Sequence, residues 1–330
     1  MPSDTPISRT PRVTICVPTL GRLEFLSAVK ASIASQTVTD YEVLVLDNAS
    51  PEEVRGELEA WAQADPRVRV LRVEERVPMW ENFNRGVLAA RSEYVTFCHD
   101  DDELCPRFLE QNLALMEPRP EIGFSGCNFV FIDEKGVVVE RRNALKVTES
   151  FRGRRFIEEL MGSGRSRLPM QTIFFRRAVF PEGGFDTQIS RFFGDFVVLM
   201  RMAESWHVGA VAEPLVRIRL HAGQASQKPI SESIPMRTKV LLAYCDELRT
   251  RWSASEVAPL ERHVRRLHTL HLGWGWLAAT DTDEADACAS SIGAFKGLEL
   301  GGALRALGRI APLRRPGVKL ANLVRKLANR

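Results

Sequence analysis

Between Val13 and Met116, short apolar runs alternate with helix-periodic stretches, and the runs stop at polar residues. Val13 to Val17 ends at Pro18-Thr19, Tyr41 to Leu46 at Asp47-Asn48-Ala49-Ser50, and Glu93 to Cys98 at His99-Asp100-Asp101-Asp102. Leu23, Leu26, Val29 and Ile33 mark one intervening helix, Met79 to Ala90 another, and Pro106 to Met116 a third. Ser50, Pro51 and Glu53 have the order of a capping box that opens a further helix, and Arg67 to Val73 alternates as a half-buried strand. Strand and helix at this pitch require crossover connections and a mostly parallel sheet. Ligands of such α/β sheets lie beyond the carboxyl ends of the strands. Thr19, Asp47 and Asp100 to Asp102 therefore share one rim despite their separation in sequence.

Beyond residue 120 the pattern is mixed. Gly123 to Ile132 and Gly136 to Glu140 read as a hairpin, Met170 to Arg176 as a strand, Asp195 to Ala203 as a helix, and Val208 to Leu220 as one or two strands. Gly, Ser, Gln and Pro after His221 predict a linker through Pro235, followed by helices near 236–250, 255–278 and 284–296. The expected division is a catalytic domain over 1–228 and a helical region over 229–330, ending in a basic amphipathic tail.

Apolar residues make up 45% of the 330-residue chain, enough for a full core. The longest run without Asp, Glu, Lys or Arg is 14 residues, Leu267 to Thr280, short of the roughly 20 needed to span a bilayer. The polar stretch Met1 to Pro11 has no apolar segment of a secretory signal. Six cysteines without a C-x-x-C pair fit buried, reduced thiols and a cytoplasmic setting better than a disulfide or zinc framework. Charge is uneven: residues 301–330 hold eight Lys or Arg and no acid. Leu304, Leu307 and Ile310, then Leu320, Leu323, Val324 and Leu327, make apolar stripes in that tail. Such a tail predicts contact with an anionic membrane surface, placing the protein peripherally on the inner face of the plasma membrane; two helices packing back on the catalytic domain, with the basic side solvated, are the alternative. Aromatic residues for RNA stacking do not accompany it, so no nucleic acid partner is expected.

The run His99-Asp100-Asp101-Asp102 carries the strongest chemical signal. Carboxylates crowded at a strand end repel one another, and a hard divalent cation, Mg²⁺ or Mn²⁺, relieves this while bridging to substrate phosphates. A solvated acidic turn, with Asp102 capping the next helix, is the alternative. No P-loop or dinucleotide-binding glycine motif is present. His263, His268 and His271 lie with Arg262, Arg265 and Arg266 on one helical segment. Without a carboxylate or cysteine partner, they read as a basic, partly exposed face rather than a metal site.

Several motifs in order resemble the family 2 glycosyltransferases of the GT-A fold. They are Val-Pro-Thr (17–19), Arg22, Leu-Asp-Asn-Ala-Ser (46–50), Asn84-x-Gly86 and Phe-Cys-His-Asp-Asp-Asp (97–102). Gly-Gly-Phe-Asp (183–186), Gly-Asp-Phe (194–196) with Arg201, and Leu-Val-Arg-Ile-Arg-Leu-His (215–221) complete the set. The resemblance implies a Rossmann-like mixed sheet flanked by helices, and a non-processive inverting transfer from a nucleotide-diphospho-sugar, with UDP the favoured nucleotide. The acceptor would be a carbohydrate, glycolipid or small molecule in bacterial-type polysaccharide or glycoconjugate synthesis.

By the same resemblance, Pro18, Thr19 and Arg22 line the nucleobase and ribose pocket, Asp47 bonds the base, and Asp100 holds the ribose. Asp101 and His221 serve the metal, Asn82 stands on the helix near the phosphates, and Asp195 is the general base. Two departures are visible: the family's D-x-D reads His99-x-Asp101, and the acid usual before the base is Gly194. Rival readings are an HD-type phosphohydrolase built on His99-Asp100, and a non-catalytic basic adaptor for membrane or RNA.

Overall fold

The computed structural model describes residues 10–186, 192–223, 230–278 and 282–294. The tail over 301–330 lies outside them. The chain divides into two compact units, Met1–Ile157 with Ser166–Gln224, and Glu158–Arg165 with Ala225–Arg330.

In the first unit, β1 (Val13–Thr19), β2 (Tyr41–Asn48), β3 (Val68–Val73) and β4 (Tyr94–Phe97) are parallel neighbours in the order β3-β2-β1-β4. Their connections are α1 (Leu23–Ala34), α2 (Glu52–Ala64) and α3 (Met79–Ala89). β1 and β2 are almost wholly buried, which explains their continuous apolar runs: a strand covered on both faces has no polar side to alternate. The sheet continues through β9 (Phe174–Arg176), antiparallel to β4, then β6 (Ile122–Ile132) and β10 (His207–Arg219), to the two-residue β5 (Glu103–Leu104). β7 (Val138–Arg142) pairs with β6 as the expected hairpin, and β8 (Glu149–Arg152) pairs with β10. Between β5 and β6 runs α4 (Phe108–Met116), and α6 (Gly194–Ala203) precedes β10.

Register sets the rim. Thr19 pairs with Asp47, and Cys98 N–H donates to the Cys16 carbonyl at 2.9 Å. The residues after β1, β2 and β4 thus emerge side by side. On the far side, antiparallel pairing of Arg217 with Glu103 carries the end of β10 back to the acidic run.

Three local expectations are corrected. Ser50 does not cap α2: its hydroxyl has no hydrogen-bond partner, Pro51 occupies the cap position, and the helix begins at Glu52. The Ser50 N–H is instead taken by the Asp47 carboxylate at 2.9 Å. Met170–Thr172 is a 3₁₀ turn and only Phe174–Arg176 is strand, because the Thr172 hydroxyl and N–H both return to the Pro169 carbonyl. Pro235 lies inside a helix rather than in a linker.

That helix is α7 (Ile230–Leu248), which with α8 (Ala254–Ala278), α9 (Thr282–Ala294) and the end of α5 (Gly153–Ser163) makes the second unit. The start of α7 is capped across the bundle, where the Glu284 carboxylate accepts from Ser231 N–H at 3.0 Å and Ser231 Oγ at 2.6 Å. A carboxylate at a helix N-terminus satisfies free donors and favours the macrodipole. His268 is 1% exposed and bonded to Thr238 Oγ1 at 2.9 Å. The expected exposed histidine face therefore holds for His263 but not for His268, whose ring points into the bundle.

At the end of the sheet opposite the rim, Glu42 is 1% exposed and accepts from Thr14 Oγ1, Arg91 N–H and the Arg69 guanidinium. Removing this acceptor strands buried donors and one guanidinium, a loss of about 3 kcal/mol or more. Glu42→Ala should shift the urea midpoint downward by that much; an unchanged midpoint would show that the network contributes no net stability.

Candidate active site at the carboxyl ends of the strands

Asp100, Asp101 and Asp102 are all buried, at 4, 8 and 2% exposure, so the acidic run is not a solvated turn. Each carboxylate is held differently. Asp100 accepts from Thr19 Oγ1 at 2.7 Å, Leu20 N–H at 3.2 Å and Arg22 at 2.9 Å. Asp101 Oδ2 receives the same Arg22 nitrogen at 2.9 Å and His221 Nε2 at 3.0 Å. Asp102 Oδ1 accepts the Arg219 N–H at 2.9 Å. His221 Nδ1 accepts from Gly223 N–H at 3.2 Å, so the proton of the neutral ring sits on Nε2 and is donated to Asp101.

Burial, reinforced by the neighbouring carboxylates, raises the Asp100 and Asp102 pKa values above the ordinary carboxylate range, so both give up their protons less readily. Burial pushes the His99 imidazole below its usual value, keeping it neutral. Two buried polar atoms here have no hydrogen-bond partner among the described residues, Asp102 Oδ2, which lies 3.7 Å from His99 Nδ1, and His99 Nε2. One ligand atom from each of His99, Asp101 and Asp102 lies within 4.8 Å of the others. Carboxylate oxygens with a neutral imidazole suit a hard or borderline divalent cation, and the unpartnered atoms are what such an ion would satisfy. His99 and Asp102 thus join the expected Asp101. Their signal was present in the His-Asp-Asp-Asp run, but sequence does not show which side chains turn the same way. His221 reaches Asp101 as a donor rather than as a free ligand.

The nucleotide-side residues are likewise brought together. Arg22 spans Asp100 and Asp101 and reaches the Gly223 carbonyl at 3.1 Å. Pro18 and Thr19 close β1 beside Asp47. Asp47 is fully buried and ion-paired to Arg72 at 2.6 Å, a partner that sequence reading missed. Register reveals it, since Asp47 pairs with Arg72 across β2 and β3. Asn82 is 3% exposed, with its amide nitrogen on the Leu46 carbonyl at 3.1 Å and its oxygen on Arg85 at 2.6 Å. Its side chain is spent holding α3 to β2 and aiming Arg85.

Asp195 opens α6 and is steered by α3. Asn84 binds the backbone of Phe185 through both its oxygen and its nitrogen, at 2.8 and 2.9 Å. Gly184 must be glycine, with φ of +62° and a Cβ position only 2.2 Å from the Asn84 oxygen. Trp80 stacks on Phe185 at 5.0 Å. Its indole also lies where a side chain at Gly194 would go, 2.5 Å from that Cβ position. The missing acid before Asp195 thus has a steric cause. Burial raises the Asp195 pKa to about 7, opposed only by backbone N–H groups from residues 195 and 196. A carboxyl poised there can exchange a proton near neutrality.

Arg22 occupies the position between two carboxylates that a cation would contest. Arg22→Ala should therefore bind Mn²⁺ more tightly without nucleotide, by about tenfold for loss of one partly screened charge near the site. Mn²⁺ titration followed by electron paramagnetic resonance measures this; weaker binding in the variant would mean that Arg22 supports the ion instead.

The sequence matches the Glycosyl transferase family 2 model over residues 14–184. A protein named as an uncharacterized glycosyltransferase from Rickettsia bellii is 25% identical over 214 residues, covering 65% of this chain and 29% of its own length. Another of that description from Haemophilus influenzae is 26% identical over 219 residues, covering 65% of this chain and 70% of its own. The chain thus spans less than a third of the Rickettsia bellii relative. Among solved structures, S. aureus TarS 1-349 in complex with UDP-GlcNAc superposes with a TM-score of 0.63 at 14% identity, over 96% of this chain and 92% of that one. The mannosyltransferase PcManGT from Pyrobaculum calidifontis, in complex with GDP-Man and Mn²⁺, gives 0.55 at 18% identity, over 98% and 89%. These likenesses show the fold, the GT-A arrangement of a mixed sheet flanked by helices. With its family model matched over more than half its length, this chain belongs to glycosyl transferase family 2.

Proposed function

We propose that the chain transfers a sugar from a nucleotide-diphospho-sugar, with UDP favoured, to an acceptor hydroxyl in one inverting displacement. The observation that carries this reading is Asp195, a carboxyl raised to about 7 at the start of a helix fixed by Trp80. An inverting transfer needs one base to take the acceptor proton as its oxygen attacks the anomeric carbon. Pro18, Thr19 and Asp47 would receive the base and ribose, with Arg72 holding the Asp47 carboxylate in place. Asp100 would hold the ribose once Arg22 releases it, and Arg22 would then turn its charge toward the diphosphate. Asp101, His99 and Asp102 would hold Mg²⁺ or Mn²⁺, which when bound supplies charge neutralisation to the leaving diphosphate. His221 would orient Asp101, and Asn82 would act through Arg85. The names of relatives, among them an O-antigen biosynthesis protein of Myxococcus xanthus, support an acceptor in bacterial polysaccharide synthesis.

An HD-type phosphohydrolase draws metal ligands from several helices. Here the metal-capable group among the described residues comes from one loop after β4, which favours the transferase reading.

Asp195→Asn should leave nucleotide binding intact and lower kcat by about 10² to 10⁴. The wild-type kcat/KM should rise with pH through about 7, where Asp195 ionises. Stability runs the other way. The folded state holds this proton more tightly than the unfolded chain, so the contribution of Asp195 is full below the ordinary carboxylate pKa near 4 and is lost as pH rises through 7. Denaturation at pH 5 and pH 8.5 should therefore show Asp195→Asn gaining on wild type at the higher pH. Wild-type turnover in the variant would assign the base elsewhere.

No described helix is long and apolar enough to cross a membrane. Peripheral attachment is proposed for the basic stripe over 301–330. Full-length protein should pellet with anionic liposomes more than a chain ending at residue 300, and salt should weaken the difference. Equal pelleting would remove the tail from the interaction.

A further inference from the structure

The hairpin of β6 and β7 stands at the carboxyl end of the sheet. β9 runs antiparallel to both β4 and β6. β6 therefore points the same way as β4, and its turn, Asp133 to Gly136, comes out on the side of the acidic run. Arg219 donates to the carbonyls of Asp133 and Glu134, and Arg217 to that of Gly136 at 2.7 Å. The Asp133 carboxylate accepts the Lys135 and Val137 N–H groups, at 3.0 and 2.8 Å, which closes the turn from within. The hairpin is braced from both sides.

What this braced turn carries is aliphatic. Phe131 pairs with Glu140 but Ile132 with Val138, which leaves Val139 as the extra residue of a bulge. Strand alternation is lost there, and Val137, Val138 and Val139 are exposed in succession, at 59, 36 and 54%. Leu220, whose N–H bonds the Ile132 carbonyl, is also exposed on this rim. A run of exposed aliphatic side chains on a fixed element contributes nothing to the core and marks a contact surface. Lys135, Arg141 and Lys146 are exposed along the same segment and pair with no carboxylate among the described residues. Glu140 is taken by Arg142 at 3.0 Å. No aromatic residue, the usual anchor of a protein interface, occurs from 133 to 148.

We propose that the β6–β7 hairpin is a membrane-docking surface, which sinks Val137, Val138 and Val139 into the headgroup boundary of an anionic bilayer and sets Lys135, Arg141 and Lys146 on lipid phosphates. Aliphatic side chains interleaved with unpaired cations match that interface in both polarity and charge. The surface belongs to the first unit and is separate from the basic stripe over 301–330. It turns the carboxyl ends of the strands toward the lipid. Neither the hairpin's position nor its composition depends on the sugar-transfer reading.

The test places the environment-sensitive dye NBD on the hairpin of the full chain, through Val139→Cys. The native cysteines are buried or partly buried, and wild type treated with the same dye is the blank. Leu88→Cys is the control: Leu88 is 84% exposed, but near the end of α3, which runs from the rim to the opposite end of the sheet. With equimolar phosphatidylglycerol–phosphatidylcholine vesicles, emission from position 139 should rise and shift to the blue, and emission from position 88 should not. Val137→Asp with Val139→Asp should weaken vesicle binding about tenfold at an unchanged melting temperature. Arg141→Glu should reduce the preference for these vesicles over pure phosphatidylcholine. Unchanged emission at 139 overturns the proposal, whether the chain leaves the vesicles alone or pellets with them through its tail. An equal response at position 88 would mean unoriented adsorption and would overturn it too. So would a blue shift that appears without lipid and grows with protein concentration, since a second copy would then cover the valines.

Discussion

Four consecutive acidic residues, Asp100 to Glu103, can remain folded at a strand end only against fixed positive charge, and Arg219 supplies it from the last strand. It is 3% exposed, donates to the Asp101 carbonyl at 3.0 Å, and pairs with Glu103. It also donates to the carbonyls of Asp133 and Glu134, at 3.0 and 3.1 Å. One side chain therefore ties the acidic loop to the β6–β7 turn, while its backbone N–H fixes Asp102. Its guanidinium lies 4.8 Å from the Phe25 ring centre, linking the loop to α1 as well. Because these contacts leave Asp100 and Asp101 to other partners, the clamp shapes the rim without consuming it.

A second constraint works through α3. Asn82 ties it to β2, Asn84 to the Gly183–Phe185 turn, and Trp80 to the start of α6. Phe83 stacks on Phe97 at 4.5 Å and meets His99 edge-on. The helix is thereby the common support of the acidic loop and of Asp195, two groups almost a hundred residues apart in sequence.

Much of this was legible in the sequence because burial and chain direction are written in local composition. Continuous apolar runs gave β1, β2 and β4, and the polar residues after them landed on one rim because parallel strands share a direction. What escaped depends on tertiary contact. The Asp47–Arg72 pair needs the β2–β3 register, and the steric reason for Gly194 needs Trp80 from a helix more than a hundred residues earlier. Ser50 has the composition of a cap, but Asp47 took its N–H first. Pro235 reads as a helix stop, but α7 runs through it because local propensity does not include the packing of that helix on α8 and α9. The inward set of His268 was hidden for the same reason: three helices, not one, decide which of its faces is dry.

The membership of residues 158–165 in the second unit has a practical meaning. The backbone changes unit three times, after Ile157, Arg165 and Gln224, so the two units are interleaved along the chain rather than strung in series. A gene cut after codon 224 would not yield a self-sufficient half. It would leave the last turns of α5 without the helices they belong with, while the remaining half would lack its own glycine and arginine at 164 and 165. Insertions, deletions and recombination in this chain are therefore tolerated only if they respect a three-crossing connectivity, and evolution could exchange the C-terminal helices only together with that short upstream segment.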